Sequence, residues 1–125
     1  MDDLKRYFTK YIRDRAKSGY DKGTECFICG STEDLDFHHY YSLSILVANW
    51  LKERDLEIET AEDALEWRDV FIAEHLEELY KHAVTLCHEH HLKLHSIYGR
   101  NPRLGTAPKQ ERWVGIQRDK HNALV

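Results

Sequence analysis

Two short spacings of cysteine and histidine constrain this chain more than anything else in it. Cys26-Phe27-Ile28-Cys29-Gly30 is a CxxC turn, and Cys87-His88-Glu89-His90 repeats the two-residue gap sixty-one positions later. A gap of two lets a tight knuckle present both donors to one tetrahedral ion. Cys26, Cys29, Cys87 and His90 then make a closed Cys₃His set, the usual composition of a structural zinc site. Any fold for this chain must therefore bring residue 26 beside residue 87. A thioredoxin-like redox pair shares the CxxC spacing, but it needs a βαβ context that the sequence lacks. His88 is the alternative to His90 as fourth ligand, at the loss of the two-residue gap.

With 125 residues there is room for one domain and not comfortably for two. The three cysteines are too few, and odd in number, for a disulfide framework, so a reducing cytoplasm is the expected compartment. No wholly apolar run is longer than Ile45 to Ala48 and the N-terminus lacks an apolar signal core, so neither membrane insertion nor secretion is expected. The formal charge of −4 argues against a nucleic-acid partner only as an average. Residues 51–79 carry eleven acids against three bases, whereas residues 1–25 carry seven bases against five acids and residues 96–125 six against two. Both ends are thus net positive, as a phosphate-binding surface requires.

Apolar periodicity predicts mostly helix. Leu4, Tyr7, Phe8, Tyr11 and Ile12 recur at helical spacing, which gives a first helix from about Asp2 to Lys17 that stops near Ser18-Gly19. Leu43, Leu46, Val47, Trp50 and Leu51 mark a second. Thr60 and Asp63 form a capping-box signature for a third helix reaching about Tyr80. Leu35-Asp36-Phe37 and Ala83-Val84-Thr85-Leu86 are short enough for strands, each beside histidines. A fourth helix runs from about His88 to Gly99, and a fifth follows Thr106.

Six of the nine histidines lie between His75 and His95, and packing rules ask for no such cluster. His91 and His95 are spaced i, i+4, on one face of a helix where they can share an ion, and His38-His39 closes the first strand. Imidazoles with open positions around the ion suit hydrolysis. His75, in the acidic segment, and His121, near the C-terminus, read as ordinary structural residues.

The ordered set Cys26-x2-Cys29, Leu35-Asp36-Phe37-His38-His39 and Cys87-x2-His90-His91-x2-Lys93-x-His95 resembles the HNH endonucleases, members of the ββα-metal or His-Me finger nucleases. The resemblance implies an α+β fold, mostly helical: a zinc-stabilised ββα-metal core from residues 25–42 and 81–99, an acidic helical insertion at 43–80, a basic N-terminal helix at 1–24 and a basic tail at 100–125. It also implies DNA phosphodiester hydrolysis, by nicking or double-strand cleavage, leaving 5′-phosphate and 3′-hydroxyl ends. Carried over, His39 is the general base, His38 and His91 hold the catalytic ion, and His95 is a further ligand or a phosphate contact. That ion would be Mg²⁺ or another divalent such as Mn²⁺, Ni²⁺ or Zn²⁺. The family's central Asn position is occupied by His82, whose imidazole can donate or accept the one bond that orients the base or steadies the loop. Asn49 is a less suitable substitute, placed in a predicted helix. The 42 residues between His39 and His82 exceed the usual length.

Affinity for DNA would come from phosphate contacts, with Lys93, Arg100 and Arg103 the foremost candidates. Basic residues of the first helix, Lys5, Arg6, Lys10, Arg13, Arg15 and Lys17, would add to them. RNA would satisfy the same centre. One scissile phosphate fits one unit, so cutting both strands needs a homodimer or two encounters. The acidic insertion is a candidate surface for a protein partner, and a bacterial or phage-infected cell is the expected setting. The rival class is a non-catalytic zinc module that uses a degenerate HNH site to bind nucleic acid or protein.

Overall fold

The computed structural model describes residues 2–124, with side chains from residue 6 onward, so the side chains of Leu4 and Lys5 lie outside the described residues. Five α-helices and two strands follow one another as α1 (Asp2–Ala16), β1 (Leu35–His39), α2 (Leu43–Glu53), α3 (Ala61–Glu74), β2 (Ala83–Cys87), α4 (His88–Tyr98) and α5 (Ala107–Ala123). The fold is α+β and mostly helical, as expected. Among the described residues no helix is long and apolar enough to cross a membrane.

Strands β1 and β2 pair antiparallel, with Leu35 opposite Cys87 and His39 opposite Ala83 at the last rung. This pairing brings the two knuckles together. The first knuckle folds as a tight turn in which Gly30 N–H donates to Cys26 O and Cys26 N–H to Ser31 O, at 2.9 and 2.8 Å. Gly30 has φ +74°, a left-handed conformation that a side chain would strain. Phe27 N–H donates to Thr85 O, which ties the turn to β2. Cys87 ends β2 and is also the N-cap of α4, so helix and second knuckle start from one residue.

Two apolar clusters result. Phe8, Ile12, Val47, Trp50, Phe71 and Leu79 are among the residues packing α1, α2 and α3 together. The second cluster gathers Cys26, Ile28, Leu86, Leu94 and Val114 beneath the knuckles, with the half-buried Trp113 at its margin. Residues 43–80 therefore complete a core with α1 and do not stand as a separate appendage.

Helix α3 begins on the expected capping box, with Asp63 N–H donating to Thr60 Oγ1 and Thr60 N–H to Asp63 Oδ2. It ends sooner than the sequence predicts, at Glu74 instead of about Tyr80. The imidazole of His75 is the cause. Its Nδ1–H donates to Phe71 O at 2.7 Å, the carbonyl that its own backbone N–H would need, and that N–H turns to Ile72 O. The chain resumes as a π-helical turn at Glu77–Lys81, closed by His82 N–H donating to Glu77 O.

Candidate active site

Four donors converge at the knuckles. The ligand atoms of Cys26, Cys29, Cys87 and His90 all lie within 4.8 Å of one another. Sγ of Cys29 and Cys87 are 3.9 Å apart, and Nδ1 of His90 is 3.9 Å from Cys26 and 3.2 Å from Cys87. A tetrahedron with zinc–sulfur bonds of about 2.3 Å has edges of about 3.8 Å, so the donor set fits an ion of that size. Its electrostatics ask for a cation too. Burial pushes the Cys26 thiol up, but backbone N–H groups around its sulfur outweigh that and favour the thiolate. Burial and the neighbouring Cys26 push Cys87 up to about 11, and a cation among the donors would favour both thiolates. His88 is not part of this group; its Nδ1–H donates to Asp36 Oδ2 at 3.0 Å.

A second group forms on one face of the ribbon. His38 Nδ1 lies 3.1 Å from His91 Nε2, which lies 2.9 Å from His95 Nε2. Each ring's other nitrogen is bound by an acceptor on the outside. Asp36 Oδ2 accepts from His91 Nδ1–H at 3.0 Å, Gln110 Oε1 from His38 Nε2–H at 2.8 Å, and Gly99 O from His95 Nδ1–H at 2.8 Å. An acceptor can take only the protonated nitrogen, so these bonds fix all three tautomers. Three lone pairs are left facing one another. Neutral imidazoles so placed repel, and a cation at their centre relieves the repulsion; this is the arrangement by which outer partners orient metal-binding histidines. Burial, partly countered by the Gln110 bond, pushes His38 down to about 4, and burial lowers His91 as well. Both are thus neutral and competent as ligands near pH 7. Partial burial raises Asp36, but the bonds from His88 and His91 outweigh it and hold its carboxyl below the usual range.

His39 points the other way, since successive strand residues alternate. Its ring meets Tyr20 and Phe37 edge-on, and its Nε2–H donates to Leu79 O at 3.0 Å. Nδ1 is left as the basic nitrogen. His39 belongs to the ribbon's last rung, opposite Ala83. Burial pushes it down to about 4, against the Leu79 bond and with help from Arg13.

The remaining expected residues are dispersed. His82 does not orient His39 with its ring, which packs edge-on against Tyr41. The π turn gives that bond to the Leu79 carbonyl, and His82 steadies the loop through its own carbonyl, which accepts from Tyr40 N–H at 3.0 Å. Lys93 is two residues from both His91 and His95, on the far side of α4, where it pairs with Glu89. Arg103 is exposed and its carbonyl caps Thr106. Arg100 borders a groove beside α1. Asn49 is an exposed residue of α2.

Sequence reasoning missed Asp36, Gln110 and the Leu79 carbonyl. Asp36 carried a signal, standing two residues before His38 and so on the same strand face. Gln110 carried one too, as a polar residue on the buried stripe Ala107, Gln110, Val114. Leu79 acts through its main chain, which side-chain motifs do not report.

Fold and donor sets define a class: a small α+β protein with two separate Cys/His groups, each able to hold a metal ion. The particular family comes from comparison with known proteins. The model of the nicking endonuclease family, of phage T5 type, matches residues 1–123, and the chain belongs to that family. It is accordingly a DNA endonuclease. No solved structure matches the chain.

Proposed function

We propose that this endonuclease nicks DNA by HNH-type, divalent-metal-dependent hydrolysis, in which His38, His91 and His95 hold the catalytic ion and His39 is the general base. The observation that carries the reading is the trio of imidazole lone pairs, each aimed inward because its other nitrogen is tied down outside. Cys26, Cys29, Cys87 and His90 hold a structural zinc in the same reading. A bound divalent ion supplies charge compensation for the phosphate and the departing 3′ oxygen.

The chain's own residues do the rest. His39 keeps its Nε2 proton on Leu79 O and takes the proton of the attacking water at Nδ1. A value near 4 makes it a weak base in the free protein. A phosphate beside it, pairing with Arg13 and adding negative charge, would favour the protonated form, so substrate itself would help the base. His82 holds the loop through its main chain and does not touch reacting atoms. One such site per chain accounts for a nick, and residues 1–125 act as one nuclease unit in a reducing cytoplasm.

A supercoiled-plasmid nicking assay in Mg²⁺, Mn²⁺ and Ni²⁺ tests this. His39→Ala should lose about 10²- to 10⁴-fold in rate with its metal content intact, and His91→Ala should lose divalent binding together with activity. Equal cutting by His39→Ala and the parent would remove His39 from the role.

A further inference from the structure

A groove of about 920 Å³ runs between α1 and α2 and is closed by the turn after α4. Arg6, Lys10, Arg13 and Arg100 line it, with Ser44 and Asn101 as neutral donors, and no carboxylate borders it. The contrast with the 610 Å³ hollow beside β2 is informative, because there Asp21, Glu25 and Glu111 offset the cations. Arg15, Arg54 and Arg68 pair with Asp69 and Glu74, whereas Arg6, Lys10, Arg13 and Arg100 make no ion pair with any described residue.

The banks of the groove lead to the two halves of the candidate site. At one end, Arg13 stands one turn before Ala16, whose carbonyl accepts from the Tyr80 O–H, next to the Leu79 carbonyl that holds His39. At the other, Arg100 directly follows Gly99, whose carbonyl holds the His95 ring. Arg6, Lys10 and Arg13 fall at i, i+4 and i+7, a single face of α1 that spans about 10.5 Å. Phosphates of one strand are spaced about 3.4 Å along a duplex axis, so that face matches about three of them.

We infer that this groove is the track for the sugar–phosphate backbone of duplex DNA flanking the cut, entered from the His39 and His95 end. The inference rests on the nuclease reading above and adds where the DNA lies. It assigns substrate grip to α1 and Arg100, with Lys93 taking no part.

The test is anisotropy titration of a labelled DNA duplex in a His39→Ala background, repeated across a salt series. Adding Lys10→Gln and Arg100→Gln should flatten the plot of log affinity against log salt by about 2, since each phosphate contact contributes about 0.9 to the slope. The exposed α5 cations outside the groove supply the control, Lys109→Gln with Lys120→Gln, which should leave the slope in place. An unchanged slope in the groove variant, or equal flattening by both pairs, overturns the track. Failure of the His39→Ala parent to bind any duplex would instead overturn the nuclease reading beneath it.

Discussion

The two apolar clusters hold their elements together by different means. Among the described residues, the cluster of α1, α2 and α3 contains eleven buried ones, including Phe8, Trp50 and Phe71, whose rings stack and cross. The cluster under the ribbon contains eight, of which two are the knuckle thiols Cys26 and Cys87 and one is only Ala107. Burial of large side chains is enough for the first. The second buries fewer large side chains, and a metal held by its thiols would supply the kind of cross-link that small domains use. The Cys/His donors thus take positions in the smaller of the two clusters.

If the knuckles hold the proposed zinc, the largest effect should come from removing it. Cys87→Ser, or a strong chelator, should disorder β2 and α4 while most of the α1–α3 helicity remains. Structural zinc contributes about 10–16 kcal/mol in small zinc-dependent folds. Circular dichroism with amide NMR would show the split, and an intact Leu86–Leu94 region in the metal-free variant would erase the contrast. Phe71→Ala attacks the other half. Losing a fully buried ring should cost about 3–5 kcal/mol in urea unfolding with zinc content unchanged. Loss of zinc alongside would mean that both clusters melt as one unit.

A finer cut separates the two donor groups. Asp36→Asn removes the carboxylate that fixes His91, so Mn²⁺ affinity measured by calorimetry should fall about 10- to 100-fold while thermal stability hardly moves. The smallest expected change is Thr60→Ala, about 1 kcal/mol from the lost capping box, confined to the helical half. Any change in metal uptake in that variant would show coupling between the halves.

Much of this was legible in the residue order. Knuckle spacing, strand alternation and the i, i+4 histidines are local rules, and both donor groups assemble from them. Less local facts stayed hidden. The break at His75 depends on a ring competing for one carbonyl, which periodicity does not register. The tautomers of His38 and His95 depend on Gln110, seventy-two residues from His38, and on a carbonyl that follows helix α4. The low value of His39 follows from burial between Tyr20, Phe37 and the π turn, a consequence of packing and not of the His-His pair.

Cys87 joins strand, knuckle and helix with no linker between them. From that residue to His95 each donor is placed by counting, about 100° of turn per position. One residue added or lost there would swing His91 and His95 away from His38 by a quarter turn or more. The turn between α2 and α3 carries no donor and lies outside both helices, so it lacks that gearing. Length variation among descendants of this chain should therefore gather in that turn and be purged from residues 87–95.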